Sequence, residues 1–114
     1  MKRTYLGEFE EIVLLTVAAL ASGAYGVAIT HEINEQTGRL VRLNQVHAAL
    51  HRLEEKGMVS THLGGATAER GGRRKRLVTI TAYGQRTLQE IQSVRAHLWS
   101  LVSNPGGPTP ATAL

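Results

Sequence analysis

The chain has no cysteine, so a disulfide scaffold and thiolate metal sites are excluded. It has no aspartate either: all nine acids are glutamates. That removes the usual third member of a serine–histidine–aspartate arrangement and thins the choice of metal ligands. Long apolar runs are also missing. The longest, Ile12 to Ala21, is about half of what is needed to span a bilayer. The opening MKRTYLGEFEE places three glutamates ahead of that run, the wrong order for a secretory leader. No nucleophile–base pair, phosphate loop, metal set or internal repeat stands out. The expectation is a soluble, cytoplasmic protein that is not an enzyme and has no cofactor.

What the chain does have is positive charge in one place. The formal net charge is +4 over 114 residues, which suits one small domain with a polyanionic partner, nucleic acid before membrane. Five of the seven residues from Arg70 to Arg76 are basic and the other two are glycine. Such a segment cannot be core, and it lacks the composition of a solvated spacer.

The pattern around it gives it a setting. Leu6, Phe9, Val13, Val17 and Leu20 recur at spacings of three and four, predicting a largely buried helix over Leu6 to Ala21. Glu8, Glu10 and Glu11 fall in its first turns, where the helix dipole favours anions. Ser22-Gly23 ends it. A second helix is predicted from Tyr25 to Thr37, with Tyr25, Ile29 and Ile33 on one stripe and Gly38 as its stop. After the short connector Arg39 to Leu43, a third helix runs from Asn44 to Lys56. Val46, Ala49, Leu50 and Leu53 form its apolar stripe, Asn44 is placed to cap it, and Gly57 follows its end. Met58 to Leu63 and Arg76 to Thr81 both alternate with period two, predicting a hairpin with the basic run at or near its tip. Thr81 is placed to cap a last helix reaching Ser103. Its Thr87, Ile91, Val94, Leu98 and Leu101 follow the spacing of a short coiled-coil seam. The tail from residue 104 to 114 has three prolines and is expected to be disordered.

Three helices and then a hairpin describe a winged helix, a mostly α fold with a small β-hairpin. In a helix-turn-helix the second helix of the pair enters the major groove. Here that is the third helix. At roughly 100° per residue, the face opposite its apolar stripe carries Asn44, Ala48, His51 and Glu55, with His47 on one flank and Gln45 and Arg52 on the other. Asn and Gln suit adenine edges, Arg suits guanine or phosphate, and Ala suits a thymine methyl. A wing at the hairpin tip lies along backbone phosphates or in a minor groove. Arg73, Arg74, Lys75 and Arg76 are the candidates there, and Gly71 and Gly72 permit a close approach. Lys2, Arg3, Arg39 and Arg42 extend the footprint. His47 and His51 have the spacing of a shared metal site, but no carboxylate or cysteine completes it.

Four segments carry a resemblance: YLGEFEEIVLLTVAAL, GAYGVAI, VHAALHRLEEKGMVSTHL and GGRRKRLVTITAYG. In this order they resemble the PadR family of bacterial transcriptional regulators, from about Leu6 to the last helix. The family commonly has Tyr where this chain has His47, and often Pro where it has Ala82. The resemblance implies a homodimeric winged-helix protein, usually a repressor, bound to a pseudo-palindromic operator. It divides the chain into a DNA-binding unit over residues 1–81, a C-terminal dimerisation helix over 82–103 and the tail. It implies that the last helix pairs with a partner subunit, often against the first helix, which singles out Leu6, Phe9, Ile91, Val94, Leu98 and Leu101. Some relatives bind phenolic or flat aromatic ligands near that interface, which makes Trp99 the candidate contact for a small aromatic effector. Tyr25, in the shared Tyr-Gly pair, joins the candidate DNA contacts. The competing reading is a winged-helix interaction module whose basic patch meets an acidic protein.

Overall fold

A computed structural model describes residues 6–64 and 75–103. Arg70, Arg73, Arg74, Lys2, Arg3 and the tail lie outside the described residues. The elements run α1 (Glu8–Leu20), a 3-10 turn (Ala21–Gly23), α2 (Gly26–Thr37), α3 (Leu43–Glu55), β1 (Val59–Leu63), β2 (Arg76–Ile80) and α4 (Ala82–Ser103). This is the winged helix-turn-helix predicted, with the C-terminal helix in place.

One core holds it together. Val13, Leu14 and Val17 of α1 meet Ile29 and Ile33 of α2, Val46, Ala49, Leu50 and Leu53 of α3, Val59 and Val78 of the hairpin, and Leu88 of α4. The four apolar positions of α3 are all buried, so its stripe faces inward and its polar residues face out.

The helix ends have local causes. Gly38 closes α2 in the left-handed region, with φ 75°, and donates its N–H to the Asn34 carbonyl. The Asn34 side chain then clamps the turn from both sides: its Oδ1 accepts from the Val41 N–H at 2.8 Å and its Nδ2 donates to the Val41 carbonyl at 3.2 Å. That fixes the angle at which α3 leaves α2. At the end of α3, Gly57 has φ 79°. The Met58 and Gly57 N–H groups donate back to the Leu53 and Glu54 carbonyls, a Schellman closure that turns the chain into β1.

The start of α3 differs from the sequence expectation. Asn44 does not cap it; Arg42 is the N-cap residue and Leu43 the first helical one. The cause is Gln45, whose Oε1 accepts from the Arg42 N–H at 2.8 Å. This is the return half of a capping box, and it sets the boundary before Leu43. Asn44 is left exposed in the first turn. Tyr25 likewise precedes α2 rather than beginning it. It is extended, with φ −147° and ψ 165°, and forms an antiparallel bridge with Leu77.

β1 and β2 pair antiparallel from Val59↔Ile80 to Leu63↔Arg76. Their pairing reaches the edge of the described segment, where the Gly64 N–H donates to the Lys75 carbonyl at 2.7 Å. Thr81 caps α4 as predicted: its Oγ1 accepts from the Gly84 N–H at 3.0 Å and donates to the Gly57 carbonyl at 2.7 Å.

Candidate nucleic-acid interface

The surface of α3 divides into three strips. The outer strip carries Asn44, Ala48, His51 and Glu55, all exposed. Glu55 is not idle there: its Oε2 lies 3.4 Å from His51 Nε2. The first turn also presents Arg42 and Gln45, both exposed. Gln45 spends its side-chain oxygen on the cap, which leaves its amide N–H₂ as the donor end of an exposed side chain.

A second strip faces the hairpin. His47, His51 and Glu54 of α3, Thr61 of β1 and Arg76 of β2 line a cleft of about 360 Å³, floored by Leu50 and Val78. Thr61 Oγ1 donates to Glu54 at 3.0 Å and accepts from Arg76 Nη1 at 3.4 Å. The wing strand is thereby tied to the helix through one hydroxyl. His47 lies against Gly26: a Cβ at that glycine would come within 2.5 Å of His47 Nε2. At the foot of the wing, Lys75 Nζ sits 4.4 Å from the centre of the Tyr25 ring, a cation–π contact. Tyr25, Lys75 and Arg76 therefore gather on the hairpin side of α3.

The third strip faces α1 and was not legible in the sequence. Glu10 is buried, its carboxylate held by Arg52 Nε and Lys56 Nζ, each at 2.6 Å. Arg52, a sequence candidate for DNA contact, thus pairs with α1 while its side chain stays about half exposed. Next along α1, the equally buried Glu11 accepts from Arg95 of α4 at 2.7 Å. Glu8 pairs with Arg39 in the turn before α3. The three acids assigned to the helix dipole are anchors: one to the turn, one to α3, one to α4.

Burial pushes the Glu10 carboxyl up, but the hydrogen bonds from Lys56 and Arg52, the Lys56 charge and a Gly7 backbone hydrogen bond outweigh it and hold the group below its ordinary value. The sign of the pH effect follows. With a depressed value in the fold, the unfolded chain binds the proton first, so the contribution is complete above the ordinary carboxyl range near pH 4–5 and disappears as pH falls through the folded value. Urea unfolding of the wild type and Glu10→Gln between pH 7 and pH 3 is expected to show a stability gap that narrows on acidification. A gap independent of pH would contradict this.

The sequence candidates for a subunit contact fall in two groups. Leu6 and Phe9 are half-buried against the chain's own core, and Ile91 is half-buried. Val94, Leu98 and Leu101 stand in the open, 54–65% exposed, with Trp99 at 66% beside them. Among the described residues, no helix is long and apolar enough to cross a membrane.

Comparison with known proteins bears on this arrangement. Several solved structures share the fold. A PadR-like transcriptional regulator from Bacillus cereus superposes with a TM-score of 0.68 at 19% identity, covering 84% of this chain and 88% of the other. A PadR family transcription regulator from Clostridium difficile does so with a TM-score of 0.65 at 22% identity, covering 88% of this chain and 99% of the other. A protein from Streptococcus mutans matches over 96% of this chain and 98% of its own, with a TM-score of 0.67 and 19% identity. No curated protein sequence matches the chain. The profile of the transcriptional regulator PadR-like family matches residues 14–90, a span from α1 through the hairpin into α4. The chain therefore belongs to the PadR-like family of transcriptional regulators and is a DNA-binding regulator of transcription.

Proposed function

We propose that the protein is a homodimeric repressor that reads a pseudo-palindromic operator. Residues 1–81 form the DNA-binding unit and residues 82–103 the dimerisation helix. The two α3 helices enter successive major grooves, about 34 Å apart, with Asn44, Gln45, Ala48 and His51 toward the bases. His47, Arg42 and Tyr25 stand at the groove walls. The wing, with Arg73, Arg74, Lys75 and Arg76, lies on the flanking backbone. Val94, Leu98 and Leu101 pack against a second copy, and Trp99 borders the space where a small aromatic effector would act. Such an effector shifts DNA binding only by preferring one of two dimer geometries.

The observation that carries this reading is α3 itself. Its apolar stripe is fully buried while its opposite face is polar and exposed, and the hairpin beside it leads directly into the basic run.

Base contacts and phosphate contacts respond differently to mutation, which gives the test. Neutralising Arg73 and Arg74 together is expected to weaken binding to every duplex and to flatten the log–log salt slope by about 1 for each phosphate released. Changing Gln45 or His51 is expected to alter sequence preference while leaving the slope nearly as it was. Anisotropy titrations on two duplexes over a salt series read both effects. A wing variant with the wild-type slope would remove the wing from the interface.

A further inference from the structure

We infer that Glu10 restrains sequence-independent binding: its buried carboxylate holds Arg52 and Lys56 and withholds Arg52 from DNA phosphates. The inference deepens the DNA-binding reading and rests on it.

Arg52 in the last turn of α3 and Lys56, its C-cap residue, are four residues apart, on the flank between the core stripe and the outer face. Both side chains are long enough to reach the wall of a groove that α3 occupies. A positive pair on the flank of a groove-reading helix would bind any duplex, because phosphate contacts carry no sequence information. In this chain both cations instead reach the Glu10 carboxylate, each at 2.6 Å. That carboxylate is only 9% exposed, so salt and water screen it little. It occupies, toward α3, the role a phosphate oxygen would take. Arg52 is itself about half exposed, so it is held by its partner and not by burial.

The basic run from Arg70 to Arg76 is why this matters. The wing already supplies a dense, sequence-independent charge. Each further phosphate contact would strengthen binding to random and operator DNA alike and leave the difference between them to the base contacts alone. Internal pairing of Arg52 and Lys56 confines the phosphate grip to the wing and to the first turn of α3. It also fixes the roll of α3 about its axis, since the two cations lie on one side and the Thr61–Glu54 tie lies on the other.

The consequence has an unusual sign. Glu10→Gln keeps the shape and a hydrogen-bond acceptor but removes the charge. Its affinity for a random duplex is expected to rise, roughly five- to tenfold at 0.1 M salt for a phosphate that Arg52 then reaches, with a salt slope steeper by about 0.9. The gain applies to operator and random DNA alike, so the ratio between them is expected to stay near its wild-type value. Glu10→Asp, which keeps the charge, should restore the wild-type slope. Arg52→Gln in the wild-type background should leave the slope unchanged, and in the Glu10→Gln background should reverse the rise in affinity.

The experiment is an anisotropy salt series with the full-length chain and a random-sequence duplex. It is run on the wild type, Glu10→Gln, Glu10→Asp, Arg52→Gln and the Glu10→Gln, Arg52→Gln double variant, with a thermal melt of each. A steeper slope for Glu10→Gln, reversed by Arg52→Gln, supports the inference. An unchanged or flatter slope for a folded Glu10→Gln overturns it while leaving the DNA-binding reading intact. If Glu10→Gln does not fold, Arg52→Gln decides: an unchanged slope supports, and a flatter slope shows that Arg52 touches phosphate and overturns the inference. A wild type that binds no duplex would overturn both.

Discussion

Gly84→Ala is expected to destabilise the protein by about 2 kcal/mol, although alanine is the better helix former. Gly84 is buried in the first turn of α4. A Cβ there would lie 2.4 Å from the Met58 carbonyl oxygen and 2.9 Å from Ile80 Cγ1. The carbonyl has little freedom to retreat, because it accepts the Thr81 N–H at 2.9 Å and joins the hairpin to the α4 cap. Two effects compete. Replacing glycine by alanine in a helix gains about 1 kcal/mol, whereas overpacking against fixed atoms costs about 3 kcal/mol at the upper end of its ordinary range. Sterics win. The melting temperature should fall by about 8–16 °C, at 4–8 °C per kcal/mol for a domain of this size. A melting temperature equal to or above that of the wild type would show that α4 can lift from the hairpin at little cost. Gly57 makes a useful contrast. Among the described residues nothing lies within 4 Å of a Cβ there, and the loss on Gly57→Ala would come from its φ of 79°.

The second large effect concerns α4 beyond Ile91. Glutamate at both Val94 and Leu98 is expected to leave the fold of the single chain intact, because both side chains are more than half exposed and surface substitutions seldom exceed about 0.5 kcal/mol. It is expected to abolish the dimer, since each new charge would be buried unpaired against its symmetry mate. Loss of the dimer separates the two half-site contacts. Linked modules gain on the order of 10²–10⁴ in affinity over single ones, so operator affinity should drop by at least about 100-fold. Sedimentation velocity at micromolar concentration and anisotropy on the same preparation read the two consequences together. A wild type that sediments as a monomer, or a variant that still sediments as a dimer, would contradict the assignment of this face.

The features behind these predictions differ in legibility. The buried stripe of α3 was readable because four apolar residues repeat at helical spacing, and only burial explains that pattern. Gly38, Gly57 and Thr81 were readable because left-handed turns and helix caps each demand a narrow set of residues. Asn44 misled for the same reason: its type suits a cap, but Gln45 reaches back to Arg42 and moves the boundary. The anchors of α1 could not be read. Glu10 and its partner Arg52 are 42 residues apart, and Glu11 and Arg95 are 84 apart. Acids in a first helical turn already have a sufficient local explanation in the dipole, so nothing in the sequence asks for another. Gly26 and Gly84 were likewise visible as letters, but the space they provide belongs to His47 and to Met58, set by the tertiary fold.

The central claim is that the exposed face of α3 reads sequence while the wing grips backbone. The most direct measurement is the equilibrium binding of the full-length chain to the DNA immediately upstream of its own coding sequence, against a shuffled duplex of equal length, over a salt series. An autoregulating repressor predicts upstream binding tighter by about 10³-fold or more at physiological salt, with steep salt dependence on both duplexes. No measurable binding to either duplex, together with salt-resistant binding to an acidic protein, would contradict the claim and make the basic wing a protein-docking surface.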